Sequence, residues 1–258
     1  MYFNNVHILV YVGIAILGII VGKIVAWANM RIPEKKKVFS KDFFEINKVG
    51  LENNYLIMII VAVIYIALLY KFGLEKEVLK NLELIKYLIL TPMIISAFFI
   101  DIKHRIIPNR INLIIFESGL IITFLYGITN INMANDMLLG MIVGMAIFLV
   151  IALLGRLFSG KEAMGFGDIK FMGALGLYFG VSKILEIALA SFFISAIISI
   201  IILFIRIVII KSKDEYIPFG PFLIIAAFLS MFLPTNAIFS MFIGICIGFS
   251  NKIIEVMN

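Results

Sequence analysis

Runs of 15 to 27 mostly apolar residues recur along the chain, separated by short polar pieces. A bilayer core about 30 Å thick is crossed by about 20 helical residues, so these runs are of membrane-crossing length. The pattern predicts spans at about 8–30, 55–72, 84–101, 111–128, 136–156, 164–182, 184–210, 219–233 and 236–250. That makes about eight spans, or nine if the final pair crosses separately instead of folding back as a re-entrant pair. The longest polar piece is Arg31 to Asn54, with no repeat or low-complexity tract. The expected architecture is an all-α, polytopic transmembrane helical bundle: one membrane-embedded domain over 1–258 with a short loop at about 31–54.

Composition agrees. Of 258 residues 63% are hydrophobic and only 15% charged, with a mean hydropathy of +1.13; a soluble domain carries about 25% charged residues. The first apolar run, Ile8 to Asn29, has no basic region before it and is expected to be a permanent helix, not a cleaved signal. The single cysteine, Cys246, lies in an apolar segment and supports neither a disulfide framework nor a cysteine zinc site. Lys and Arg placement predicts orientation. With the N-terminus outside, the segments 31–54, 101–110, 156–170, 206–218 and the C-terminal tail are inner and hold 16 of the 22 basic residues. The outer segments 71–86 and 180–184 hold 5, and Lys23 lies within the first span. Cytoplasmic loops carry the excess of Lys and Arg, so the net charge of +6 is first a topological signal. Membrane lipid is the expected surrounding. No basic face stands free of the membrane to suggest a nucleic-acid partner.

Two segments break the rhythm of apolar span and polar loop. In Ala97-Phe-Phe-Ile-Asp101-Ile-Lys-His-Arg-Ile-Ile-Pro108-Asn109-Arg110, an aspartate closes the third span. A carboxylate near a helix C-terminus opposes the helix dipole, so end-capping does not explain it, and Pro108 stops the helix from continuing. In Met164-Gly165-Phe166-Gly167-Asp168-Ile169-Lys170-Phe171, a second aspartate follows two glycines. A sixth span starting near Ala163 would put Asp168 about 7 to 8 Å inside it. Gly165 and Gly167 are expected to unwind the helix start and to let a neighbouring chain approach. Under the derived orientation both aspartates sit at inner ends of spans, at one depth, although 67 positions apart. Ionisable groups in spans are costly and face a cavity or a partner. Two converging carboxylates share one proton, the state in which one takes a proton from water while the other donates to a carbonyl. The residues alone leave other readings open: a boundary charge at Asp101, a helix N-cap at Asp168, or a proton relay in a transporter.

At these positions the sequence resembles the type IV prepilin peptidases, membrane aspartic proteases with a GxGD motif. Gly165-Phe166-Gly167-Asp168 matches GxGD, and Ile-Lys-Phe-Met-Gly-Ala-Leu-Gly after it matches the continuation DxKLxAxLG. Asp101 with Ile107-Pro108-Asn109 matches D-x5-I-P-[DN]. Ile217-Pro218-Phe219-Gly220-Pro221-Phe222-Leu223 is similar to a proline-rich stretch near the family's C-terminus. Gly22, Arg31 and Pro33 resemble an N-terminal GSFLNVxIxRLP pattern, with Ala26 where that pattern has Asn. The resemblance implies Asp101 and Asp168 as the catalytic pair, supported by Gly165, Gly167, Lys170, Pro108 and Asn109. It implies removal of the short basic leader from type IV prepilin or pseudopilin precursors at the cytoplasmic face of the inner membrane, with no metal or cofactor in proteolysis. The presenilin-like branch pairs GxGD with Tyr-Asp and Pro-Ala-Leu motifs that are absent from this sequence.

One departure matters. Many bacterial members also N-methylate the new N-terminus with S-adenosylmethionine and carry two Cys-x-x-Cys pairs of zinc-ligand spacing in the first loop; the loop from Arg31 to Asn54 has no cysteine, so zinc is not expected, while N-methylation with S-adenosylmethionine stays open. Smaller expectations are a hydrated, thinned bilayer zone at the aspartates, leader-binding acids at Glu162, Asp214 and Glu215, a kink at Pro92, and a cavity-facing or paired Glu117. His104, on the Asp101 face if helix persists, is expected to be a surface histidine or to tune the pair. The rival reading, a small proton-coupled transporter using the same carboxylates, predicts an inverted repeat, which the sequence does not show. A second rival, a non-catalytic assembly factor, would tolerate loss of either aspartate.

Overall fold

The computed structural model describes residues 2–3, 6–38, 55–75, 81–160, 164–205, 218–244 and 247. The described chain is a helical bundle: α1 (Ile8–Arg31), α2 (Tyr55–Phe72), α3 (Leu82–His104), α4 (Asn109–Thr129), α5 (Ile131–Ser159), α6 (Phe166–Ile205) and α7 (Gly220–Phe232), followed by α8 (Ala237–Gly244). Its only departure from all-α character among the described residues is a minimal antiparallel pair before α1, with Tyr2 opposite His7 and Phe3 opposite Val6.

Six helices, α1 to α6, are long and apolar enough to cross a membrane. At 40 residues α6 would run about 60 Å, twice the bilayer core. It is broken at Gly180, whose φ of 71° and ψ of −179° lie outside the helical region. The break divides it where the apolar pattern separates the spans 164–182 and 184–210. Asp136, on α5, sits against Gly180 and its Oδ1 accepts from the Val181 N–H (3.3 Å), one of the donors that a helix start leaves unpaired. α7 and α8 together are apolar enough for a span but are bent by 107°, the geometry of one broken span or of a re-entrant pair; with α6 divided at Gly180, the count stays near eight.

Small residues set the closest helix contacts. α5 and α6 share the most extensive interface, because Gly140 and Gly176 let the backbones touch: a β-carbon on Gly176 would fall inside the Gly140 carbonyl group. Without a hydrophobic drive between helices in lipid, such close packing is what holds spans together. The outward faces carry bare apolar side chains, among them Ile121, Phe124, Leu157 and Phe158, as a lipid-facing surface requires.

Pro92 lies inside α3 without ending it. Its missing N–H frees the Leu88 carbonyl, which accepts from the Tyr65 hydroxyl of α2 at 2.8 Å. One helix thus repairs the proline defect of another.

Candidate active site

α3 ends in a left-handed cap at Arg105 (φ 57°), whose N–H bonds back to the Asp101 carbonyl at 2.8 Å. Asp101 is therefore held in the last turn of α3, with its side chain only 3% exposed. The chain crosses to Pro108, whose carbonyl accepts from Ile111 and Asn112 and starts α4. Asn112, on that first turn, reaches across and donates its amide to the Gly167 carbonyl at 3.0 Å. Lys170 donates to Asn109 Oδ1 at 3.2 Å. Two side-chain bonds thus tie the start of α4 to the start of α6.

Asp168 lies closer to the helix end than the sequence predicts. α6 begins at Phe166, not near Ala163, so Asp168 stands about 3 Å into the helix, in its first turn. Gly165 stays outside the helix. The Asp168 N–H bonds to the Gly165 carbonyl at 3.0 Å, and the Asp168 side chain turns back toward Gly165. The Asp168 side chain thus lies over the open end of its own helix, and the neighbouring chain is close: a β-carbon on Gly167 would stand 3.2 Å from the Ile107 carbonyl.

All seven residues singled out in the sequence, Asp101, Pro108, Asn109, Gly165, Gly167, Asp168 and Lys170, line one cavity of about 600 Å³. One oxygen of Asp101, Oδ2, is buried with no hydrogen-bond partner among the described residues. An orphan buried carboxylate oxygen is costly; in this cavity it is positioned to be met by a proton, a water or a substrate group.

Three features of the site are contacts that the sequence motifs do not disclose. Gly220, the first residue of α7, packs against the Asp101 carboxylate. The turn after α1 supplies Ile32, Pro33 and Lys35 to the cavity wall. Side chains hold that turn by successive carbonyls: Arg110 donates to those of Lys35 and Lys36 (3.0 and 2.8 Å), Arg31 to that of Lys37 (3.0 Å) and Trp27 to that of Val38 (2.9 Å). Finally, the cavity wall is cationic, with Lys35, Arg105, Arg110 and Lys170 around the two aspartates.

Other expectations fall elsewhere. Glu117 is exposed on the outer face of α4 and His104 is exposed at the end of α3; neither lines the cavity. Glu162, Asp214, Glu215 and Cys246 lie outside the described residues. Among the described residues, no three His, Cys, Asp or Glu side chains form a cluster that could hold a metal ion.

The sequence model of the type IV leader peptidase family matches residues 88–203, a segment containing all seven predicted site residues. A prepilin leader peptidase/N-methyltransferase of Aeromonas hydrophila is 28% identical over 144 residues, covering 56% of this chain and 48% of its own length. A protein of the same name from Xanthomonas campestris pv. campestris is 33% identical over 148 residues, with 56% and 48% covered. The leader peptidase HopD of Escherichia coli is 32% identical over 136 residues, covering 52% of this chain and 83% of that protein. The matches span about half the length of the first two relatives and most of the third. No solved structure matches the chain significantly.

Proposed function

Since the chain belongs to the type IV leader peptidase family, we propose that it is an aspartic endopeptidase of the inner membrane that removes the leader from prepilin or pseudopilin precursors. The observation that carries this reading is the convergence of Asp101 and Asp168, from two helices 67 positions apart, on one cavity. Its N-terminus is outside, and the cavity faces the cytoplasm, the side assigned to the Lys- and Arg-rich segments. The whole chain acts as a single peptidase domain.

The chemistry follows from two carboxylates that share one proton. The ionised member takes a proton from a water between them as that water attacks the scissile carbonyl. The protonated member donates to the carbonyl oxygen, giving a neutral gem-diol. Collapse returns a proton to the leaving amine, and the leader departs as a carboxylic acid. Gly165, Gly167, Pro108, Asn109 and Lys170 hold the two aspartate-bearing turns together; they are supporting residues.

Relatives named N-methyltransferase imply S-adenosylmethionine as a cosubstrate. The described cavity does not fit it as a separate site. Its cationic wall of Lys35, Arg105, Arg110 and Lys170 repels a sulfonium, and its carboxylates are the pair itself.

Co-expression with a prepilin tests the proposal. Asp101→Asn and Asp168→Asn, made separately, are expected to leave the precursor full length by gel shift, with an unprocessed N-terminus by mass spectrometry. Processing retained in either variant excludes the mechanism.

A further inference from the structure

The outer segments carry lysines that run against the charge bias of the topology, and the structure gathers three of them at the end of the bundle opposite the aspartates. α7 has 13 residues and is about 20 Å long, too short to cross the bilayer core. Its last carbonyls are consequently buried, with Ser230 1% and Met231 0% exposed. Carbonyls that end a helix have no partner within it, and lysines from two other helices supply one to each. Lys71 from α2 donates to the Met231 carbonyl at 2.6 Å, and Lys183 from α6 donates to the Ser230 carbonyl at 3.3 Å. Aromatic faces surround the ammonium groups: Phe72 and Phe232 for Lys71, Tyr87 for Lys183. Lys86 stands beside them, 3.6 Å from Glu83. Glu186 accepts from Asn236 N–H in the bend between α7 and α8.

The other end of the same helix is Gly220, packed on Asp101. α7 is thus a strut with its negative end on two lysines and its positive end on a carboxylate of the pair. Sliding it outward withdraws the positive end of the helix from Asp101; sliding it inward drives the Gly220 backbone into a carboxylate it already touches. A displacement of about 1 Å at a reacting group costs roughly 100-fold in rate. Resting on the peptidase reading above, we infer that Lys71 and Lys183 are positioning residues for cleavage: by fixing the axial register of α7 they hold its N-terminus on Asp101, although neither lines the cavity.

The test compares full-length wild type, K71M/K183M and K71R/K183R in detergent, with a prepilin precursor as substrate. The methionine pair is expected to lower kcat by about tenfold or more, with KM within about twofold because the cavity wall is intact. Arginine also donates to carbonyls, so the arginine pair restores kcat to within a few-fold of wild type. The pH–rate profile separates register from simple loss of folded protein. Asp101 faces Asp168 from α6 and Gly220 from α7, within a wall carrying Lys35, Arg105, Arg110 and Lys170. Withdrawing the α7 N-terminus from this set moves the acid limb of the methionine variant to higher pH, whereas a smaller folded fraction scales the profile without moving it. If K71M/K183M fails to fold by thermal unfolding, K71Q/K183Q, which keeps an N–H donor at each position, is put in its place and must show a smaller shift of that limb in the same direction. An unmoved profile, or a kcat within twofold of wild type, overturns the inference. Wild-type protein that cleaves no precursor overturns instead the peptidase reading on which it rests.

Discussion

Gly220 on α7 and Asp101 on α3 are in direct contact, close enough that a β-carbon on Gly220 would overlap Asp101 Oδ2 and stand 3.0 Å from its Cγ. The same atom would lie 3.1 Å from Ile107 Cδ1, so both side chains have to move to admit it. Gly220→Ala is therefore expected to displace the carboxylate and lower precursor cleavage by about 100-fold. The other site glycines grade the effect. A β-carbon on Gly167 meets the Ile107 carbonyl at 3.2 Å, a tight but partly relievable contact, and one on Gly165 meets Asp168 Oδ2 at 3.4 Å, an ordinary one. Initial rates should fall in the order Gly220→Ala, then Gly167→Ala, then Gly165→Ala. Equal losses in all three would show that crowding at Asp101 is not the cause.

Asn112 offers a prediction that links packing to the site. It is 4% exposed, and its amide is the side-chain donor to the Gly167 carbonyl. Asn112→Leu removes that donor and the cross-link to α6, a net loss of about 1 kcal/mol. Thermal unfolding in detergent should show the loss of stability. Cleavage should fall further than folded protein does, because the turn that carries Asp168 loses its tie to α4. Activity that only tracks the folded fraction would place Asn112 in the scaffold alone.

Much of this molecule is legible in the sequence for a simple reason. In lipid, backbone polar groups must be satisfied within the segment, so apolar runs have few structures open to them and most predicted spans coincide with helices. The motif residues are legible because each departs from its surroundings: an aspartate closing a span, glycines opening one, a proline where a turn is needed. What the sequence hides is contact between distant segments. Gly220 reads as one glycine in a proline-rich stretch, and only tertiary packing places it on Asp101. Arg110 reads as a basic loop residue, yet it spans two carbonyls of a turn more than 70 positions away. Lys71, Lys86 and Lys183 read as outer-loop charge. Glu117 illustrates the reverse error: an acid within an apolar helix suggests an inward role, but its position on α4 faces outward.

The α5–α6 interface predicts a stability effect without a direct chemical one. Gly140 and Gly176 meet backbone to backbone, so any side chain at position 176 has to push the helices apart along their largest contact. Gly176→Val is expected to abolish the folded state in mild detergent, seen as aggregation in size-exclusion chromatography. The milder Gly127→Ala, whose β-carbon would meet only Ala134 Cβ at 3.7 Å, should leave elution and activity unchanged. Normal folding of Gly176→Val would show that the interface is more compliant than its geometry indicates.

The Tyr65–Leu88–Pro92 relationship yields a coupling that only a double-mutant cycle can read. Tyr65 is 2% exposed, and its hydroxyl takes the carbonyl that Pro92 cannot serve. Tyr65→Phe in the native background leaves that carbonyl buried and unpaired, which is expected to destabilise the protein by about 1–3 kcal/mol. In a Pro92→Ala background, residue 92 regains an N–H and can close the intrahelical bond to Leu88. There the same Tyr65→Phe change should cost less than about 0.5 kcal/mol, so the two substitutions interact rather than add. Reversible unfolding in mixed micelles measures all four corners of the cycle. Equal costs in both backgrounds would mean that the tyrosine packs against α3 without repairing it.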